Sequence, residues 1–255
     1  MLGGQNIQGI SLKSLRLSNL CYAYPGNSPK ALDQLSFEWS TGELIIVVGA
    51  SGSGKSTLGR LLKGLIKPES GRIELSENGK TKQLTESDLL DLVGWTDAQP
   101  ERQIFAVTVA EEIGFALANR GVRGDALNTA VRDAMLKVAL DPDRFLERDP
   151  LTLSGGEKRR VALASTIVVP TPFLIFDEPE AGLDDEGTAM VAGLVEQLRQ
   201  SDVGIMVISH DPADIWQSAD RILAMDHGKL AGEFHQLGID WQRLTDWLES
   251  GDKTQ

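Results

Sequence analysis

Cysteine occurs once in 255 residues, at Cys21, which excludes an intrachain disulfide and fits a reducing compartment. No apolar run reaches the ~18 residues that a bilayer-spanning helix needs, so any membrane role requires another chain to do the spanning. The opening stretch MLGGQNIQGISLKSL carries neither a charged leader nor an apolar core, and it does not read as a secretory signal. Positive charge is in the minority: 25 Lys+Arg against 37 Asp+Glu gives a net charge of -12 and a pI near 4.7. That balance disfavours bulk attraction to nucleic acid or anionic lipid, and no local basic patch offsets it, so no nucleic-acid partner is expected. Internal repeats and low-complexity linkers are also absent. At about 150 residues per domain, the length allows one large domain or two small ones with a sizeable core.

What is present begins with LIIVVGASGSGKSTLGRLLKG, residues 44–64. The β-branched run 44–48 reads as a strand buried on both faces, and Gly49 ends it. Gly49, Ala50, Ser51, Gly52, Ser53, Gly54, Lys55 and Ser56 complete the pattern G-x-x-x-x-G-K-[ST], and Leu58, Leu61, Leu62 and Leu65 follow at helical spacing. Glycines let backbone N–H groups converge on phosphate oxygens, while the helix start adds unpaired donors and the positive end of its dipole. Lys55 supplies a mobile point charge, and the Ser56 hydroxyl can complete the coordination of Mg²⁺. The loop therefore reads as a cradle for a nucleoside triphosphate; an ordinary glycine-rich strand-to-helix turn is the plain alternative.

Flanking segments fix the organisation around that loop. Before it and up to residue 74, LKSLRLSNLCYAY, LDQLSFEW and GRIEL alternate as strands with one solvated face. Over 107–140 the period becomes helical, which predicts a helical insertion. Residues 172–179 and 203–211 read as buried strands separated by a helix over 184–200, a βαβ pattern. The end, WQRLTDWLESGDKTQ, reads as a helix with a frayed polar tail.

Two further stretches carry chemistry. The apolar run 173–176 ends directly in Asp177 and Glu178, at the edge of a parallel sheet where phosphate ligands bind. Asp177 is placed to hold Mg²⁺; Glu178 is the better candidate to deprotonate an attacking water, because a metal-engaged carboxylate is a poor base. The second stretch is LTLSGGEKRRVALAS, residues 151–165. Ser154 and Glu157 alone satisfy a capping box. Gly155 and Gly156, however, cost the first turn about 1 kcal/mol each relative to alanine, so something is expected to approach that backbone closely. Arg159 and Arg160 behind them suggest a phosphate gripped from a second side.

In this order GASGSGKST, LSGGEKRR, FLIFDEPEAGLD and VISHD resemble the Walker A, signature, Walker B with D-loop, and switch-histidine motifs of the ATP-binding cassette (ABC) ATPases, over about residues 12–234. The resemblance implies an α/β fold: a P-loop NTPase core with a mainly parallel sheet, an N-terminal antiparallel β subdomain and a helical subdomain. It also implies a single ABC ATPase domain over 12–245, with Q-loop, helical subdomain and signature within about 95–165 and flexible ends at 1–11 and 250–255. By the same likeness, ATP and Mg²⁺ lie in a head-to-tail dimer of cassettes, between the 49–57 loop, Thr57 included, of one chain and Ser154, Gly155 and Gly156 of the other. Tyr24 matches the aromatic that stacks on adenine, or is a plain strand tyrosine; His210 matches the residue that contacts the γ-phosphate and the water, or is structural; Asp184 falls in the D-loop.

QPERQIFAVTVAEEIGFALANRGV, residues 99–122, is similar to the segment after the Q-loop in ATPase subunits of energy-coupling-factor (ECF) importers, which take up vitamins and transition-metal ions. In gapless register the Q-loop glutamine falls on Ala98. Either Gln99 serves by a small shift, contacting Mg²⁺ and nucleotide, or that contact is weakened. The likeness implies an ATPase subunit on the cytoplasmic face of a membrane, partnered by a second cassette and by integral membrane subunits. The other readings are a soluble ABC ATPase and a weakly hydrolysing partner in a heterodimer. Ile104, Phe105, Val109 and Phe115 are expected either to form the core of the helical subdomain or to floor a groove for a helix of the membrane subunit.

Overall fold

The computed structural model describes residues 12–26, 29–209 and 218–235. Strands β1 (Lys13–Tyr22), β2 (Leu32–Ser40), β3 (Leu44–Val48), β4 (Ser70–Glu77) and β5 (Lys80–Gln83) surround helix α1 (Lys55–Leu62) in sequence. Helix α2 (Glu86–Leu92) and β6 (Val93–Thr96) follow, then the helical insertion: α3 (Val109–Asn119), α4 (Gly124–Lys137), a short α5 (Pro142–Phe145) and α6 (Gly155–Ile167). Strand β7 (Phe173–Asp177), α7 (Asp185–Arg199), β8 (Gly204–Ile208), β9 (Arg221–Asp226) and β10 (Lys229–His235) complete the described residues. Two sheets result, β2-β1-β4-β5 and β10-β9-β3-β8-β7-β6. The first is antiparallel throughout; in the second only the β9–β10 pair is antiparallel.

Strands β3, β7 and β8 are buried at every position, and the two-residue period of a strand divides their side chains between two layers. Leu44, Ile46, Val48, Leu174, Phe176, Ile205 and Val207 face one core, shared with α3, α4, α6 and α7. Ile45, Val47, Phe173, Ile175, Met206 and Ile208 face the other, shared with α1 and the antiparallel sheet, where Trp39 packs on Phe173 with ring centroids 4.8 Å apart. The carboxyl ends of β3, β7 and β8 are thereby held level, since Val47 pairs with Ile208 and Asp177 with Ile208. The cradle loop, the Asp177–Glu178 pair and Ser209 all leave the sheet from that edge.

The final helix expected from WQRLTDWLES lies outside the described residues, as does His210. Among the described residues no helix is long and apolar enough to cross a membrane.

Candidate functional site

Gly49, Gly52 and Gly54 all have positive φ, at 147°, 79° and 105°. A Cβ on Gly49 would lie 2.2 Å from the Met225 carbonyl oxygen, and one on Gly54 would lie 2.4 Å from that of Ala31, so at these two positions glycine is required by space as well as by φ. The turn between β9 and β10 supports the loop from below, with the Gly228 amide donating to the Ser53 carbonyl at 2.9 Å. Lys55 is buried, and its ammonium donates to the carbonyls of Gly49 (2.7 Å) and Ala50 (3.1 Å). Burial lowers its pKa, against the opposing pull of Glu178 and Asp177.

Tyr24, Lys30, Gly52, Lys55, Thr57 and Glu178 are among the residues that line one cleft of about 370 Å³, together with Ser51, Gly54 and Ser56. The Tyr24 hydroxyl lies 3.2 Å from Thr57 Oγ1 and accepts from Arg60 at 3.3 Å, while its ring meets Tyr22 edge-on. Pro29, Lys30 and Ala31 also line the cleft. Nothing in their residue types marks them in the sequence; the β1–β2 turn brings them there.

Asp177 is fully buried at the end of β7, and its Oδ1 has no hydrogen-bond partner. Its pKa is raised to about 6, chiefly by burial; the charges of Glu178 and Asp97 add to the rise, while the Ser56 hydroxyl and Lys55 oppose it. A buried carboxylate oxygen left open beside a serine hydroxyl is the donor set a hard, oxygen-seeking cation such as Mg²⁺ takes. Glu178 follows with φ 50°, its amide donating to Ile208 at 2.8 Å.

The signature segment builds a second cleft. The Ser154 hydroxyl caps α6 by accepting from the Glu157 amide, and the Glu157 carboxylate accepts from the Ser154 amide in return, completing the expected capping box. Ser154, Gly155, Gly156, Arg160, Gly182 and Asp184 lie among the residues lining about 620 Å³ of open space. No Cβ clash explains Gly155, which faces open space. Arg159 departs from expectation: it is buried and donates to the carbonyls of Asp97 (3.1 Å) and Ala98 (2.6 Å), so it braces the loop before Gln99 rather than facing an anion. Gln103 braces the same loop, accepting from the Asp97 amide at 3.3 Å and donating to Ala162 at 3.4 Å. Gln99 is exposed and lines neither cleft.

The four apolar residues of the helical insertion divide. Ile104 and Val109 are buried in the core, whereas Phe105 and Phe115 are exposed and stack edge-to-face at 4.7 Å. The buried Glu112 carboxylate accepts from the Phe105 (2.9 Å) and Ala106 (2.8 Å) amides and so fixes that turn. Phe115 opens an apolar groove of about 680 Å³ with Val107, Ala110, Ala118, Leu127 and Leu146.

A glycine cradle and a buried carboxylate at one sheet edge, with a glycine-led helix start on another cleft, define an ATP-binding cassette. Comparison with known proteins bears this out. A family profile described as ABC transporter matches residues 32–181. The energy-coupling factor transporter ATP-binding protein EcfA2 of Clostridium tetani is 36% identical over 231 residues, 88% of this chain and 80% of that protein. The structure of cbiO1 from Clostridium perfringens, described as part of the ABC transporter complex cbiONQ, is 26% identical over 87% of this chain and 88% of its own, with a TM-score of 0.73. A bacterial ABC transporter cassette solved as a dimer, 24% identical over 88% of this chain and 100% of its own, shares the fold with a TM-score of 0.78. The chain belongs to the ATPases of the ABC transporter family, in its energy-coupling factor ATP-binding group.

Proposed function

We propose that this chain hydrolyses ATP to power an ECF-type importer for a vitamin or a transition-metal ion, docked on the cytoplasmic face of the membrane against integral subunits and paired with a second cassette. The observation that carries the reading is that the nucleotide machinery is divided between two clefts with no lining residue in common. One chain supplies half of each site, and a head-to-tail partner completes it.

In this reading Tyr24 stacks on adenine, the amides of the 49–57 loop and Lys55 hold the phosphates, and Ser154, Gly155 and Gly156 close on them from the partner chain. Ser56 and Asp177 would hold Mg²⁺, with Gln99 joining when its loop closes; when bound, the ion neutralises charge on the phosphate oxygens. Glu178, which lines the cleft without a place in that donor set, orients the attacking water and takes its proton. His210 would contact the γ-phosphate. The groove beside Phe115 receives a short apolar helix of the membrane subunit, and closure of the dimer passes through it.

Purification of the full chain from detergent-solubilised membranes tests the reading. Integral membrane polypeptides and a second cassette chain should accompany it. A chain that comes alone, and hydrolyses ATP fully as a monomer, contradicts it.

A further inference from the structure

The turn between β7 and α7 contains a carboxylate that the roles above leave unused. Glu180 stands two residues beyond Glu178, whose φ of 50° is left-handed; such backbone is unfavourable for a residue with a side chain and persists only where the surroundings over-determine it. Two ties to the end of β8 do so. The Glu178 amide donates to the Ile208 carbonyl at 2.8 Å, and one residue on, the Ser209 hydroxyl donates to Glu180 Oε1. Within the turn, Ala181 donates to the Glu178 carbonyl (3.1 Å) and Leu183 to that of Glu180 (3.0 Å). Ser209 is completely buried, and its own amide donates to Val47 at 3.2 Å. The turn is thus fastened, through Ser209, to the strand that leads into the phosphate cradle.

Glu180 is a poor choice for stability alone. Its Oε2 is buried without a hydrogen-bond partner, and burial raises its pKa, with the Ser209 bond opposing. A buried carboxylate oxygen left unmatched carries a desolvation cost that an apolar side chain would avoid. We infer that Glu180 is a positioning residue for hydrolysis: its hydrogen bond to Ser209 holds the left-handed turn that aims the Glu178 carboxylate into the nucleotide cleft. This inference rests on the reading of Glu178 as the base.

Steady-state ATP hydrolysis by the full chain, with thermal melting alongside, tests it in Glu180→Ala, Ser209→Ala, their double variant and Glu180→Gln, with Glu178→Gln as reference. Losing the bond from either side should lower kcat about 10-fold with KM for ATP within about 2-fold, and the double variant should be no worse than either single one. Glu180→Gln keeps an acceptor for Ser209 and should stay within about 3-fold of the parent. Additive losses, a glutamine variant as impaired as alanine, or a lowered melting temperature with unchanged kcat each overturn the inference. If Glu180→Ala does not fold, Ser209→Ala decides: a parental kcat there overturns the inference and a lowered one supports it. Parental hydrolysis by Glu178→Gln would remove both the base and its positioning residue, whereas an inactive Glu178→Gln beside an additive cycle removes Glu180 alone.

Discussion

Ile104 and Phe105 are neighbours with opposite surroundings, and truncating each separates core from docking face. Ile104 is 7% exposed and Phe105 62%. Ile104→Ala removes buried methyl groups and leaves a cavity, which should cost about 2–4 kcal/mol and lower the melting temperature by roughly 5–15 °C. Phe105→Ala loses only a partly buried ring and its edge-on contact with Phe115, for about 1 kcal/mol and roughly 2–4 °C. Phe105 stacks on Phe115 at the side of the groove without lining it; an aromatic side chain covered at an interface is worth about 2 kcal/mol or more, so a helix docked over the pair should lose about 30-fold in affinity on this substitution. ATP affinity should stay near normal, and transport should uncouple from hydrolysis. Melting curves and a binding titration against membranes depleted of the native chain read both effects. If Phe105→Ala melts as low as Ile104→Ala, the side chain belongs to the core. If it stays folded and binds those membranes as tightly as the parent, the docking argument is wrong.

Lys55→Ala removes a buried ammonium now held by the Gly49 and Ala50 carbonyls; it should weaken ATP binding by about 10- to 100-fold in calorimetric titration, through loss of a charge-assisted contact. Normal affinity would count against the cradle. Asp177 gives a pH test: with its carboxyl raised from 3.8 to about 6, the ligand-free native chain binds more protons than the unfolded one between those values, so stability falls as pH rises through them. Asp177→Asn should therefore stabilise the ligand-free chain by about 3 kcal/mol at pH 8, with the gain gone below about pH 4, as read from melting across pH. A gain that does not change with pH contradicts burial as the cause.

Local chemistry made much of this legible. The β-branched run at 44–48, the spacing of Lys55 and the carboxylates after Phe176 each depend on neighbours in the chain, and all fall where the sequence placed them. Ser154 and Glu157 likewise form the box their spacing predicts. What escaped depends on contacts distant in sequence. Arg159 reads as a cation near an anion site, yet it is spent on carbonyls about sixty residues earlier. Ile104 and Phe105 look alike in sequence; only the turn fixed by Glu112 sends one inward and the other out. Glu180 carries no pattern at all until β8 brings Ser209 against it.

The central claim, that each nucleotide site is shared between two chains, is tested most directly by mixing two inactive variants. Lys55→Ala disables the cradle, and Ser154→Arg fills the approach to the signature while leaving that chain's own cradle intact. In a mixed dimer one site collects both defects and the other is whole. Hydrolysis that appears on mixing, absent from either variant alone, is the expected result. A mixture as inactive as its components, or a parent chain fully active as a monomer, would contradict the account.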